Sequence, residues 1–340
     1  MSTDREPRID LPRVDLHSHA GRCFLAGLPA GHSLVAALGA AAVADAVRAA
    51  RAAGMTALVL SAVADVAVLR PDPAAGLRAY RNFRADEAYA DYQRQLAGIR
   101  EAAAEAGAEV ATSAADLDRA ARDGRTAVLL GCEGGDFLEG DLRRLEQARA
   151  AGLTVLTLVH YRVSEIGDVQ TEAPVHEGLS RFGRDVVAEC NRLGIMIDCA
   201  HASFAATMAV LAASSQPVII SHGQLGYPGT SDSGTGHPRL MTAQHAAAVA
   251  EAGGLVGAWP CGITSRSLAD FGTEIVRLTE AAGPAHVALG TDLDGNYRPV
   301  LTSYHQLDEL TGLLRDVGLP PDHIGRFLGG NALDLLRHVL

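Results

Sequence analysis

The sequence has few aromatic residues and no paired-cysteine pattern. Phe, Trp and Tyr make up 4% of the 340 residues while hydrophobic residues reach 48%, so a large core would be built from aliphatic side chains. The five cysteines are an odd number and include no Cys-x-x-Cys spacing. This argues against a disulfide framework and favours a reducing compartment.

The chain also lacks a basic stripe, a leader-like start and a long apolar run. Its net charge is −11, with 29 basic residues scattered among 40 acidic ones, which disfavours nucleic-acid binding. The N-terminal stretch MSTDREPRIDLPR is charged and has no apolar segment of the kind found in secretory signals. No uncharged apolar run of about 18 residues occurs, so no membrane span is predicted. We therefore expect a cytoplasmic protein that binds neither a membrane nor a nucleic acid.

Apolar runs alternate with Ala-rich segments of helical periodicity, a pattern typical of α/β proteins with a parallel sheet. Several predicted helices end at a glycine, as helices often do. The predicted strands lie near residues 14–17, 57–61, 126–131, 154–159, 195–199, 218–221, 255–258 and 287–291. The predicted helices lie near residues 35–53, 83–106, 140–151, 181–193, 204–214, 242–253 and 267–282.

Eight strands separated by helices predict a (β/α)8 barrel of the TIM type, formed as one domain by residues 1–340. A doubly wound open sheet is the alternative. Residues 62–125 are the longest stretch between strands and are interpreted as a helical insertion after strand 2, within the same domain. Residues 223–240, rich in Gly, Ser and Pro, are interpreted as a long loop over the active face.

Side chains that can bind metals follow the apolar strands at the point where each strand ends. Active sites of such barrels lie at the C-terminal ends of the strands. A single histidine after a strand is more often a hydrogen-bonded loop residue, but here six strands end in His, Glu or Asp. The residues are His17, His19, Glu133, His160, His201, His222 and Asp292.

His17 and His19 are two residues apart in a strand, so both imidazoles can face one metal ion. Other histidines are interpreted as surface or helix-end residues. These are His245, His286, His305, His323 and His338.

This set of residues is similar to that of the binuclear amidohydrolase superfamily, and more closely resembles the renal, or membrane, dipeptidase family. The resemblance spans residues 14–337. The resembling segments are TSAADLDRAARDGRTAVLLGCEGGD, LTLVH, GLSRFGRDVVAECNRLGIMIDCAHAS, PVIISH, ALGTDLDG and GNALDLLR.

The resemblance implies a site for two divalent metal ions, expected to be Zn²⁺. His17 and Asp292 would bind one ion, His201 and His222 the other, and Glu133 would bridge them about 3.5 Å apart, as is usual for two-metal sites. A hydroxide held between the ions would attack the peptide carbonyl.

The resemblance also implies roles in catalysis and substrate binding. Asp292 would carry the proton to the leaving amine. His160 would bind substrate and stabilise the oxyanion. Arg239 would hold the substrate's C-terminal carboxylate bidentately, and we expect its guanidinium to face the metals across a cavity sized for two residues.

One motif departs from the family pattern. The family's first motif is typically His-x-Asp, whereas this chain has His17-Ser18-His19. A neutral imidazole in place of a carboxylate makes the site more positive by one charge, and this points to a shifted substrate specificity.

The first hypothesis is therefore a zinc dipeptidase acting on a dipeptide or a similar small amide. Another amidohydrolase, such as a lactonase, a deaminase or an N-acyl amino acid hydrolase, is the alternative enzyme. A barrel kept as a non-catalytic binding module is the alternative from another class. A homodimer is an arrangement that the sequence leaves open.

Overall fold

The eight predicted strands close into a parallel barrel. A computed structural model describes residues 11–72, 76–227 and 236–340. Its strands are β1 (Val14–Ser18), β2 (Ala57–Val63), β3 (Leu69–Asp72), β4 (Gly76–Ala79), β5 (Glu109–Val110), β6 (Ala127–Glu133), β7 (Leu153–Thr157), β8 (Met196–Asp198), β9 (Ile219–Gly223), β10 (Leu255–Ala258) and β11 (Val287–Leu289).

Eight of these strands form the barrel in the cyclic order β1, β2, β6, β7, β8, β9, β10, β11. The β2–β6 pairing runs in register from Ala57 opposite Ala127 to Val63 opposite Glu133. The ring closes where Asp15 of β1 pairs with Leu289 of β11. All of these pairings are parallel, so every strand end carrying a predicted ligand lies on the same face. The predicted (β/α)8 barrel is confirmed, and the open sheet is wrong.

Helices pack around this ring. They are α1 (Ser33–Leu38), α2 (Val43–Ala52), α3 (Glu87–Glu105), α4 (Ala114–Arg122), α5 (Arg143–Ala150), α6 (Arg181–Leu193), α7 (Phe204–Ala213), α8 (Ala243–Glu251), α9 (Leu268–Ala282), α10 (Leu307–Asp316), α11 (Pro321–Gly325) and α12 (Asn331–Val339). None of the helices in the described part of the chain has the length and apolar character needed to cross a membrane.

Glycines end the helices where the sequence predicts. Gly54, Gly107, Gly152 and Gly194 all have positive φ values, a left-handed backbone that glycine adopts without a steric cost. Ser and Thr caps start several helices, for example Ser180, whose side chain accepts a hydrogen bond from the backbone N–H of Gly183. The six predicted helices from residue 83 onward agree with the observed ones to within four residues at each end. The helix predicted over residues 35–53 is instead two helices, α1 and α2, because the chain turns at Gly39, where φ is 85°.

The segment after β2 contains more than helices. Helices α3 and α4 lie within residues 62–125 as predicted, and α3 packs against the barrel through Leu96 and Ile99. The same segment also forms an antiparallel hairpin, β3–β4, in which Leu69 pairs with Ala79. Short strand β5 adds to the start of β6, with Glu109 opposite Ala127. The Ala-rich composition conceals these short strands because they contain no long apolar run.

Candidate metal centre

Six side chains meet at the C-terminal face of the barrel, and each comes from the end of a strand. All six residues are buried, with at most 7% of their surface exposed. Strands that are distant in sequence bring them together. The residues are His17 and His19 at the end of β1, Glu133 at the end of β6, His201 after β8, His222 in β9 and Asp292 after β11.

His17, His19 and Asp292 form what we call the first cluster. The Nε2 atoms of His17 and His19 are 3.2 Å apart, and the Nε2 atom of His19 lies 3.4 Å from Oδ1 of Asp292. One ligand atom from each of the three residues lies within 4.8 Å of the others. The spacing suits coordination of a single cation.

His201 and His222 form the second cluster, and Glu133 lies between the two clusters. The Nε2 atoms of His201 and His222 are 3.2 Å apart. Glu133 Oε1 lies 2.9 Å from Nε2 of His201, and Glu133 Oε2 lies 3.2 Å from Nε2 of His19. Oε2 therefore faces the first cluster, while Oε1 is nearest to His201 of the second and also lies 3.6 Å from Nε2 of His17. The carboxylate lies between the two clusters, as a bridging carboxylate would.

Two of these residues adopt a left-handed backbone. His201 has φ 65° and Asp292 has φ 51°. This region is uncommon for residues other than glycine, although Asp, Asn and His occupy it several times more often than most. Each residue lies three positions past the end of its strand, in the loop that follows, and its side chain joins the clusters at the barrel mouth.

The distal ring nitrogens of His19 and His222 are held by hydrogen bonds outside the clusters, whereas Nδ1 of His201 has no partner among the described residues. Nδ1 of His19 lies 2.8 Å from the carbonyl oxygen of Ser61. Nδ1 of His222 lies 3.0 Å from Oγ of Ser221, and this hydroxyl donates to Asp198 at 2.6 Å. Such partners fix the ring and leave Nε2 directed into the cluster, where it could bind a metal ion.

The residues fit a divalent metal. Oε1 of Glu133 makes no hydrogen bond within the described part of the chain, although three imidazole nitrogens lie 2.9 to 3.6 Å away. A buried carboxylate oxygen surrounded by nitrogen lone pairs is poorly satisfied unless a cation lies among them. Four imidazoles and two carboxylates form the nitrogen- and oxygen-rich donor set that suits a transition metal such as Zn²⁺.

Electrostatics differ between the clusters. Burial alone would lower the pKa of His19, but its hydrogen bond with Cys23 and the charge of Glu133 hold that pKa well above its usual range. In the second cluster, burial and the charge of Arg239 hold the pKa of His201 well below its usual range. Burial raises the pKa of Asp292 to about 6, although the neighbouring His19 opposes that rise.

His160 lies beside the second cluster, as the strand pattern predicts. Its Nε2 atom is 3.2 Å from Oε2 of Glu133, and its ring meets His201 edge to face at 4.5 Å. Its Nδ1 atom lies 2.6 Å from Oδ1 of Asp65, a residue that sequence reasoning did not identify. Asp65 follows β2 and so obeys the same strand-end rule that found the other residues.

Arg239 reaches the second cluster directly. Its Nη2 atom lies 3.0 Å from Nε2 of His201 and 3.1 Å from Nε2 of His222. The guanidinium therefore contacts these imidazoles instead of facing them across a cavity, which corrects our expectation from the sequence. The reason is the short stretch around Met241, whose backbone pairs with that of Gln224 and draws the loop over the barrel.

Several further groups hold Arg239 in place. Nη1 donates to Oε1 of Gln170 at 2.8 Å, and the guanidinium lies 5.1 Å from the centroid of the Trp259 ring. Nε is buried and has no partner among the described residues. Gln170 lies in the long loop between β7 and α6, and no local pattern predicts its position. Trp259 directly follows β10, so the strand-end rule extends to it, although an indole is not a metal ligand and the metal-site pattern does not include it. Residues 228–235 of the predicted long loop lie outside the described residues.

One histidine interpreted as a surface or helix-end residue is buried. His245 lies in the first turn of α8, only 4% exposed, and its ring contacts Phe204 at 5.3 Å. Burial lowers its pKa to about 4. The predicted helix-end position is therefore correct, but a surface position is wrong, because this helix start packs against the start of α7.

Comparison with known proteins gives a family. The sequence profile described as membrane dipeptidase (peptidase family M19) matches residues 41–340. Dipeptidase tcpJ of Claviceps purpurea is 29% identical over 243 residues, which cover 68% of this chain and 55% of that protein. Dipeptidase aclJ of Aspergillus oryzae is 31% identical over 226 residues, covering 64% and 52%. The chain thus spans about half the length of these curated relatives.

Solved structures share the fold at low sequence identity. A metallo peptidase of Rhodobacter sphaeroides, liganded with a phosphinate mimic of the dipeptide L-Ala-D-Ala, superposes with a TM-score of 0.78 at 20% identity. That match covers 97% of this chain and 99% of the other. A dipeptidase of family M19 gives a TM-score of 0.79 at 21% identity, with the same coverage. The matched profile, the strand-end ligands and the barrel agree, and the chain belongs to the membrane dipeptidase family, peptidase family M19.

Proposed function

We propose that this protein is a metal-dependent dipeptidase that hydrolyses the amide bond of a dipeptide or a similar small amide. The main observation behind this proposal is that the two clusters of ligand atoms share the carboxylate of Glu133, with the buried Arg239 beside them. Family membership supports the same activity. Two Zn²⁺ ions fit the donor set, with Glu133 between the clusters.

When bound, such ions would lower the pKa of a water molecule and polarise the scissile carbonyl. His17, His19 and Asp292 would hold the first ion, and His201 and His222 the second. The rigid hydrogen bonds to Ser61 and Ser221 would keep these ligands in place during turnover.

The chain's own residues would perform the remaining steps. Asp292 lies at the edge of the first cluster, where its carboxylate can take a proton from the attacking water and deliver it to the leaving amine. Nε2 of His160 faces the gap between the clusters and can donate to the developing oxyanion. Nε of Arg239 has no partner among the described residues, and Nη2 faces the imidazoles of His201 and His222. With those imidazoles bound to metal, Nε–H and Nη2–H can donate in parallel to a substrate carboxylate.

The test joins metal analysis to a substrate panel. Purified protein is analysed for bound metals, then assayed against L-L and L-D dipeptides, N-acyl amino acids, lactones and neutral esters. We expect two divalent ions per chain, hydrolysis of dipeptides, and loss of activity on chelation that Zn²⁺ restores. Hydrolysis of lactones or esters with every dipeptide left intact, and no response to Arg239→Ala, would contradict the proposal and favour another amidohydrolase reaction. Metal-replete protein without any turnover would favour the non-catalytic barrel.

A further inference from the structure

The contact between Asp65 and His160 does more than bury a charge. Asp65 lies just after β2, and none of its surface is exposed. Its Oδ1 atom is 2.6 Å from Nδ1 of His160, and its Oδ2 atom accepts the backbone N–H of Tyr161 at 3.2 Å. One carboxylate thus fixes both a ring and the backbone of the residue that follows it.

This double contact determines which way the ring faces. An imidazole has two nitrogens, and the partner of one decides what the other can do. With Nδ1 committed to Asp65, Nε2 is left facing Oε2 of Glu133 at 3.2 Å and the gap between the two clusters. A ring turned over would direct a carbon atom there instead.

A second buried carboxylate, Asp136, lies near Asp65 and feels the charge of His160, but the structure shows no hydrogen bond between Asp136 and His160. Asp136, also buried, forms an ion pair with Arg162. Burial and the negative charge of Asp65 raise the pKa of Asp136 to about 6. Asp136 therefore shares the burial of Asp65 and its electrostatic environment, but none of its hydrogen bonds to His160.

We propose that Asp65 is a positioning residue for the hydrolytic reaction, which directs Nε2 of His160 at the substrate carbonyl by holding Nδ1. The inference rests on the proposed function, because it assigns His160 a role in turnover. It differs from a purely structural role, which predicts loss of stability without a selective effect on the chemical step.

The experiment compares metal-loaded Asp65→Asn with Asp65→Glu and with the matched control Asp136→Asn. An amide cannot replace the carboxylate, because it has one acceptor oxygen for the two donors, His160 Nδ1–H and Tyr161 N–H. We expect Asp65→Asn to lower kcat by about 10- to 100-fold, as loss of an outer-shell partner usually does, with KM and metal content nearly unchanged. Asp65→Glu should recover part of kcat, and Asp136→Asn should retain it.

Two outcomes would overturn the proposal. A fall in kcat as large in Asp136→Asn as in Asp65→Asn would make the effect structural. Loss of bound metal in Asp65→Asn in proportion to activity would make His160 a metal ligand instead of a donor to substrate.

A second readout is independent of turnover. The proton between His160 Nδ1 and Asp65 should give a far-downfield NMR resonance in the wild type, assigned by its absence in His160→Gln. Its absence in the wild type overturns the proposal even if dipeptides are cleaved. If it is present and the wild type cleaves no dipeptide, the proposed function fails while the positioning geometry stands. Because this measurement uses the wild type, it can overturn the proposal even if Asp65→Asn does not fold. In that case the kcat and metal content of Asp65→Glu distinguish positioning from a structural role: a fall in kcat with metal content retained supports positioning, and wild-type kcat with reduced stability overturns it.

Discussion

The first and second clusters share Glu133, but they differ in the charged side chain that lies next to each of them. Asp292 completes the first cluster with a second carboxylate, whereas Arg239 lies against the second with a fixed positive charge 3.0 Å from His201. A cation entering the first cluster is attracted by two carboxylates. A cation entering the second must displace or repel the guanidinium. The two halves of the centre should therefore fill in order, the first at lower metal concentration than the second.

Removing the shared ligand should have the largest effect, because it damages both clusters at once. Glu133→Gln is expected to lower kcat/KM by on the order of a thousandfold and to reduce metal content at both positions, since a neutral amide bridges two cations poorly. Metal analysis and steady-state kinetics provide the measurement. Glu139→Gln is the matched control, because Glu139 pairs with Arg144 outside the centre. Retention of both ions in Glu133→Gln would refute the bridging role.

Replacing Asp292, the carboxylate found only in the first cluster, should have the second-largest effect. Asp292→Asn is expected to lower kcat by about a hundredfold, because the proton carrier is lost, while KM changes less. Affinity for the first ion should also fall, which reduces the difference between the clusters. Asp294→Asn is a neighbouring control, since Asp294 instead accepts a hydrogen bond from the backbone of Gly21. A change confined to KM would show that Asp292 acts in binding.

Removing the positive charge of Arg239 beside the second cluster should weaken substrate binding but strengthen metal binding. Arg239→Ala is expected to raise KM for a dipeptide by about 10- to 100-fold, the cost of losing a charge-assisted pair. The same change should tighten binding of the second ion, because the competing guanidinium is gone. Equilibrium titration with Zn²⁺ measures this directly, with Arg298→Ala as the control. If the second ion binds more weakly in Arg239→Ala, the comparison between the clusters is wrong.

Placing a carboxylate at position 19 should have the smallest effect and would sharpen the comparison between the clusters. His19→Asp is expected to shift the preference of the first cluster towards oxygen-seeking cations such as Mn²⁺, by about 10-fold relative to Zn²⁺. Competition titrations would detect the shift. The second cluster is the internal control, and an equal shift there would mean that the substitution acts through the whole centre.

Sequence reasoning succeeded where one strong local rule applied. Glu133, His222 and Asp292 each follow an apolar run, and parallel strands in a barrel must bring such positions to one face. Most helix boundaries follow from equally local signals, such as the glycine stop at Gly194, although the break between α1 and α2 was not predicted.

Interactions through loops could not be predicted in the same way. Gln170 reaches Arg239 only because two loops cross above the barrel, and no periodicity specifies where they cross. His245 is buried because two helix starts pack together, although its sequence context is typical of an exposed helix end. Asp65 combines both situations. Its position follows the strand-end rule, but only the tertiary packing shows that it contacts His160.

The left-handed backbone at His201 and Asp292 has a consequence for how this centre can evolve. That conformation costs most residues roughly 1–2 kcal/mol, and more for β-branched ones, while Asp, Asn and His tolerate it well. Single substitutions at these two positions are therefore confined to a narrow set of side chains if the turn is to persist. His17, Glu133 and His222 lie in strands, where the backbone accepts almost any residue. Changes of metal or of reaction within this scaffold should therefore arise more readily at the strand ligands than at the two ligands that lie in loops.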